Sequence, residues 1–251
     1  MAIAGGTGTV GRHVVGAARR HGHEVVVLSR RTGVDVQTGE GLAQALEWVE
    51  VVIDTTNVAT PTRARATAFF TAVAANLHRV GAAQQVARLV SLSIVGIDRV
   101  PLGYYRAKLA QESAVRVGAL PATIVRATQF HEFAAQILGR AKVGPIGFMP
   151  SMRIQPIAAR AVGEFLVETA VAPAYPDIVE IAGPETIGLV DMARRVVRCR
   201  GQRLAIVPLR LPGGAGKAVR GGALLATPAT RLLGPGPDAW LEGDDLAGMG
   251  R

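Results

Sequence analysis

Cysteine occurs once, as Cys199, so the chain can form no internal disulfide and assemble no cysteine-rich zinc site. A disulfide-stapled secreted scaffold and a zinc ribbon are therefore excluded. Aromatic residues make up only 4% of the sequence, too few for modules that stack nucleobases on aromatic platforms. No run approaches the ~18 uninterrupted apolar residues that a membrane helix needs. The start, MAIAGGTGTVGRHVV, lacks the basic-then-apolar order of a signal peptide. A soluble, cytoplasmic protein with no membrane partner is expected. Lysine is also scarce, at positions 108, 142 and 217 only. The net charge of +9 rests almost wholly on arginines, dispersed as Arg19-Arg20, Arg30-Arg31, Arg63, Arg65 and Arg194-Arg195. Cations scattered in this way suit solvated faces better than a nucleic-acid footprint, so nucleic acid is not an expected partner.

What is present is a core. Hydrophobic residues reach 49% and charged ones 19% of 251 residues, with a mean hydropathy of +0.28. That is ample apolar surface to offset chain entropy. Apolar β-rich runs alternate with helical patterns from the start: a strand at 1–4, a helix from Val10 to His21, a strand at 24–28, and a short helix near 41–48. A strand at 51–54, a helix at about 63–80, a strand at 88–92, a helix at about 104–117 and a strand at 122–126 follow. Repeated βα units predict a doubly wound parallel sheet of the Rossmann α/β class. Runs such as EVVIDT lack apolar/polar alternation, as strands covered on both faces do. From about residue 146 the texture changes, and a smaller carboxy-terminal, substrate-side part is expected to pack on the core of about 1–145. The whole chain, 1–251, is read as one dinucleotide-binding domain. In its tail a short helix is expected around 218–226.

The glycine-rich segment Gly5-Gly6-Thr7-Gly8-Thr9-Val10-Gly11 contains both Gly6-x-Gly8-x-x-Gly11 and Gly5-x-x-Gly8-x-x-Gly11. It falls between the first strand and the first helix, where glycine permits a sharp turn and lets backbone N–H groups approach a pyrophosphate. NAD sites commonly end the second strand with an acid that holds the ribose 2′-OH. Ser29-Arg30-Arg31 stands there instead, and two guanidinium groups suit a 2′-phosphate, so NADP(H) is expected over NAD(H). Gln129-Phe130-His131 follow the strand that ends at Arg126. Carboxyl ends of sheet strands open onto the ligand crevice, which makes these three candidates for lining a substrate pocket.

Taken together, GGTGTVG, VVIDTTN, LVSLSIVGIDRVPLGYYRAKLAQE and LPATIVRATQFHEF resemble an atypical short-chain dehydrogenase/reductase of the NmrA-like kind, over roughly residues 1–170. The resemblance implies that Gly5, Gly8 and Gly11 bind the pyrophosphate, beside the backbone of Thr7, Thr9 and Val10. It places Asp35 and Val36 at an adenine contact after the third strand, and Thr55, Thr56 and Asn57 in the cofactor cleft at the end of the fourth. It assigns the chemistry to Ser93, Tyr104 and Lys108. Tyr104 would pass a proton to or from the substrate oxygen. Lys108 would lower the tyrosine pKa and hold the cofactor ribose, and Ser93 would hydrogen-bond the substrate carbonyl. The Tyr-x-x-x-Lys spacing independently stacks both side chains one helical turn apart.

The main expectation is an NADP(H)-dependent oxidoreductase acting on a small, mostly apolar carbonyl or alcohol. A non-catalytic NADP(H)-sensing regulator is the alternative. A nucleotide-sugar epimerase or dehydratase is the third reading, against which the short chain after residue 170 weighs. No residue pattern marks a face for self-association, and the oligomeric state is left open.

Overall fold

The first strand, β1 (Ala2–Ala4), has three apolar residues with no exposed surface, because β2 (Val26–Leu28) and β3 (Val51–Asp54) flank it in parallel. The structure, a computed structural model, describes residues 1–60, 62–174 and 176–243. Between these strands run α1 (Gly11–Arg20) and α2 (Leu42–Ala45). The chain continues through α3 (Arg63–Ala83), β4 (Arg88–Ile94), α4 (Gly103–Val117), β5 (Ala122–Ala127), α5 (Phe133–Arg140), β6 (Lys142–Val143), β7 (Ile146–Pro150), β8 (Arg153–Ile154) and α6 (Ala159–Val171). It then forms β9 (Ile178–Ala182), β10 (Ile187–Gly188), α7 (Leu189–Cys199), β11 (Ala205–Leu209), α8 (Gly213–Arg220), β12 (Arg231–Leu232) and α9 (Pro237–Glu242). Seven strands build a parallel sheet in the order β12-β9-β5-β4-β3-β1-β2. The expected Rossmann α/β class is what the chain adopts.

The chain divides into two compact units. One comprises Met1–Ile94, Leu102–Arg126 and Arg160–Val179, and the other Val95–Pro101, Ala127–Ala159 and the chain from Glu180 onward. In the first, Val52, Leu77, Leu89, Val115 and Ile124 form the core with the small residues of β1. In the second, a three-stranded sheet in the order β11-β7-β6 packs against α5 and α7. Met149 is fully buried there.

Three expectations are corrected. The tail helix lies at Gly213–Arg220 rather than 218–226, because Gly221 follows it and Gly222 takes φ +86°, a left-handed conformation that turns the chain away. The helix near 41–48 shrinks to α2, since Trp48 adopts φ +62°. No strand forms between β2 and β3 among the described residues. Asp35 makes only an isolated bridge to Glu40, which leaves β2 at the sheet edge and makes Thr55–Asn57 follow the third strand.

Helices α3 and α4 meet tightly at His78. A Cβ on Gly118 would stand 2.1 Å from the His78 Cγ, so only glycine admits the ring. The Leu120 N–H donates to His78 Nδ1 at 3.1 Å, which requires an unprotonated nitrogen. Burial accordingly holds the His78 pKa below its ordinary 6.5. The folded state thus binds this proton less readily than the unfolded chain. The stabilisation is present above about pH 6.5 and is lost as pH falls through the lower folded value. Urea midpoints of the parent are expected to drop between pH 8 and pH 5.5 by more than those of His78→Gln. Equal drops would remove His78 from the acid sensitivity.

Candidate active site

The turn after β1 is shaped by close approaches. Gly5 has φ +73°, and a Cβ there would lie 2.9 Å from the carbonyl oxygen of Thr55. A Cβ on Gly11 would lie 2.1 Å from the oxygen of Gly5, and the Gly8 N–H closes the loop onto that same oxygen at 2.9 Å. These contacts explain two of the glycines sterically. Gly8 has only the Gly5 oxygen near its missing Cβ and is exposed with Thr7, so the outer side of the turn stays open. Val10 precedes α1 without a side-chain cap, and no acid occupies the first turn. The helix therefore presents its positive dipole end where Thr9 and Val10 lead into it.

Arg30 and Arg31 begin a single 3-10 turn directly after β2, and both are exposed. Ser29 and Thr32 lock that turn, with the Thr32 hydroxyl donating to the carbonyl of Val27 at 2.7 Å. Asp35 shapes its own turn: its Oδ1 accepts the N–H groups of Gln37 at 2.8 Å and Thr38 at 3.3 Å, and Val36 beside it is buried. A cavity of about 340 Å³ bordered by Val26, Val27, Thr32, Val34, Gln44 and Ala45 lies at the β2 edge and includes none of the expected site residues.

The end of β3 links the glycine turn to α4. The Thr55 N–H and hydroxyl both donate to the carbonyl of Ala4, at 2.9 and 2.8 Å, and two residues on, Asn57 Oδ1 accepts the Tyr104 hydroxyl at 2.8 Å. Thr56 turns back instead, donating through N–H and Oγ1 to Asp54 Oδ1 at 2.9 and 2.7 Å. Tyr104 and Lys108 lie on one face of α4, and both meet Phe70 of α3: Tyr104 edge-on at 6.1 Å between centroids, and Lys108 with its Nζ 4.8 Å from the ring centroid. Lys108 is buried and donates to the Leu92 carbonyl at 2.8 Å and to Gln111 Oε1. Burial lowers its pKa to about 8, against the opposing charges of Asp54 and Glu112. Burial pushes the Tyr104 pKa up to about 12, with only the Asn57 hydrogen bond acting the other way. The expected lowering of the tyrosine pKa by Lys108 is therefore corrected: the ammonium is turned toward Leu92 and Gln111, and desolvation dominates.

The Ser93 hydroxyl is buried and donates to Glu112 Oε1 at 2.5 Å, while Glu112 pairs with Arg126 through Nε at 2.9 Å and Nη2 at 2.7 Å. Ser93 is thus tied to a buried ion pair. In the second unit, His131 is fully buried, stacked on Trp240 at 4.9 Å, with Nε2 3.2 Å from the carbonyl oxygen of Pro235. Phe130 makes an isolated bridge to Ile157 and is half-buried. Gln129 is buried with neither amide atom hydrogen-bonded among the described residues. Asp54, Phe70, Gln111 and Glu112 surround Lys108 in ways that motif reading missed. The positions of Gln111 and Glu112, three and four residues after Lys108, were the available signal.

An α/β architecture with a glycine turn and a Tyr-x-x-x-Lys helix is thereby defined. Residues 1–93 match the family described as NAD dependent epimerase/dehydratase. Among solved structures the chain is similar to MoeE5 in complex with UDP-glucose and NAD, at 16% identity over 96% of this chain and 97% of that one, with a TM-score of 0.71. TunA, a NAD dependent NDP-hexosamine 5,6-dehydratase, matches at 16% identity over 96% of both chains, TM-score 0.70. A short-chain dehydrogenase/reductase superfamily protein from Agrobacterium tumefaciens with bound NAD matches at 18% identity over 98% and 95%, TM-score 0.69. These likenesses establish the fold. No curated protein matches the sequence. No helix among the described residues is long and apolar enough to cross a membrane.

Proposed function

We propose that this protein is an oxidoreductase of the short-chain dehydrogenase/reductase type, NmrA-like, that uses NADP(H) in preference to NAD(H) on a small, mostly apolar carbonyl or alcohol. One observation carries the reading. The Thr55–Asn57 loop touches the glycine turn at Gly5 and holds the Tyr104 hydroxyl, so a pyrophosphate cradle and an acid/base residue share one rigid support. The residues fit a dinucleotide: the turn is open at Gly8, α1 offers its uncapped start, and Arg30 and Arg31 stand exposed without an acid at the end of β2.

Gly5, Thr7, Gly8, Thr9, Val10 and Gly11 would hold the pyrophosphate, Arg30 and Arg31 the 2′-phosphate, and Thr55, Thr56 and Lys108 the ribose side. A nicotinamide bound there supplies the hydride. Tyr104, neutral over the physiological range with a pKa of about 12, suits proton donation to the oxygen of a carbonyl under reduction.

Nicotinamide fluorescence titrations with NADPH and NADH test the cofactor reading. NADPH is expected to bind more tightly, and Arg30→Ala to weaken NADPH by about tenfold to a hundredfold, the scale of one charge-assisted contact of ~1.5–3 kcal/mol. NADH affinity should be unchanged. Equal losses for both cofactors would remove Arg30 from the 2′-phosphate. Binding without turnover over a broad carbonyl panel would favour the regulatory alternative.

A second reading, nucleotide-sugar epimerase or dehydratase, draws support from the match of residues 1–93 and from the MoeE5 likeness. The short chain after residue 170 does not count against it: MoeE5, covered over 97% of its length by this chain, holds UDP-glucose. A rise in melting temperature with UDP-sugars that exceeds the rise with UDP would favour this reading.

A further inference from the structure

The lysine of the Tyr-x-x-x-Lys pair is held by residues that the motif does not contain. Tyr104, Lys108 and Gln111 fall at i, i+4 and i+7, so all three share one face of α4. Gln111 is 1% exposed and uses both ends of its amide: Oε1 accepts from Lys108 Nζ, and Nε2 donates to Asp54 Oδ2 at 2.8 Å. Asp54, also 1% exposed, completes its carboxylate with Ser91 Oγ at 3.4 Å and with both donors of Thr56. A lone carboxylate or ammonium at such depth would carry a large desolvation cost. The amide bridge joins the two charges across the helix–strand contact and fixes the ammonium by the Leu92 carbonyl, over Phe70.

We infer that Asp54, acting through Gln111, is a positioning pair that sets the place and charge of Lys108 for the cofactor ribose. The inference rests on the proposed dinucleotide site. The side-chain amide is required in one orientation only, because a lysine can only donate and a carboxylate can only accept. Leucine at 111 would sever the bridge. Glutamate would keep an acceptor facing Lys108 and add a charge, but would offer Asp54 no donor. The other charged groups facing Lys108 are few: Glu112, itself neutralised by Arg126, stands on the same helix, and Asp54 comes from β3. Asp54 also anchors Thr56, next to the Asn57 that receives Tyr104, so one carboxylate steadies both members of the motif.

The scarcity of lysine makes the test direct. In protein labelled at lysine ¹³Cε, Lys142 and Lys217 are exposed, and Lys108 is the one buried lysine, assignable by comparison with Lys108→Met. Its resonance is expected to titrate near pH 8 in the parent. Asp54→Asn and Gln111→Leu should each lower that midpoint by about one pH unit or more, and Gln111→Glu should raise it above the parent value. Opposite shifts from one position distinguish electrostatic positioning from mere packing. Circular dichroism on each variant verifies folding, and the Gln111 pair keeps the test alive if Asp54→Asn does not fold. NADPH affinity should fall about tenfold in Gln111→Leu. An unmoved midpoint in folded Gln111→Leu overturns the positioning pair. A moved midpoint with unchanged NADPH affinity overturns its service to the cofactor. A moved midpoint in a parent that binds neither dinucleotide upholds the bridge and overturns the dinucleotide site instead.

Discussion

Glu112→Ala is expected to lower the free energy of unfolding by about 3–5 kcal/mol, the range for removing one partner of a buried ion pair. Glu112 and Arg126 have only 7% and 16% of their side-chain surfaces exposed, so water cannot replace the carboxylate that receives two guanidinium N–H groups. The same deletion takes the acceptor from the buried Ser93 hydroxyl. Replacing both charged residues with well-packed apolar ones should cost less than Glu112→Ala alone, because no charge is then stranded. Ser93→Ala should cost only about 1 kcal/mol, as expected for a single hydrogen bond, since Glu112 keeps Arg126. Urea unfolding followed by far-ultraviolet circular dichroism reads all three. A loss below about 1 kcal/mol in Glu112→Ala would show that the cluster is far better hydrated than its burial implies. Turnover close to the parent's in Ser93→Ala would agree with the interior role of Ser93, and a collapse would place it in the chemistry.

Tyr104→Phe is expected to reduce carbonyl turnover by about 10²- to 10⁴-fold, the usual worth of a positioned acid, while NADPH affinity stays within about twofold of the parent. The phenyl ring keeps its edge contact with Phe70, so the fold and the cradle lose only the hydrogen bond to Asn57. The pH profile carries the finer information. A tyrosine with a pKa of about 12 remains an acid through neutrality and imposes no bend there. Lys108 titrates near pH 8, so kcat/KM for reduction should decline above that point as its charge is lost. Turnover in Tyr104→Phe equal to that of the parent would take the proton transfer away from Tyr104.

The alternation of strand and helix, the position of the glycine turn and the one-turn stacking of Tyr104 on Lys108 are all legible in the primary structure, because each depends on neighbours a few residues apart. Gly5 is a partial case. Its place in the motif can be read locally, but the Thr55 carbonyl that forbids a Cβ lies 50 residues away. The local partners of Asp35 and His131 were not legible for a related reason. A carboxylate after a strand and a histidine after a strand end both look available in sequence, yet Asp35 caps its own turn and His131 stacks beneath Trp240. The edge position of β2 was not legible at all, since Asp35 and Val36 look like a strand end and make only one isolated bridge.

By itself, the amino-acid sequence determined the fold class, the glycine-rich turn, the arginines in place of an acid after β2, and the helix that carries the Tyr-x-x-x-Lys pair. These follow from periodicity and from backbone requirements that act within one or two turns of chain. Tertiary structure alone decided which polar groups are already satisfied. It committed Ser93 to Glu112 and Arg126, joined Lys108 to Asp54 through Gln111, and left Gln129 with its amide unspent. The reason is physical. A buried hydrogen bond costs little when met and much when broken, so partners distant in sequence, brought together by the packing of α4 on β3, β4 and β5, determine what each side chain remains free to do.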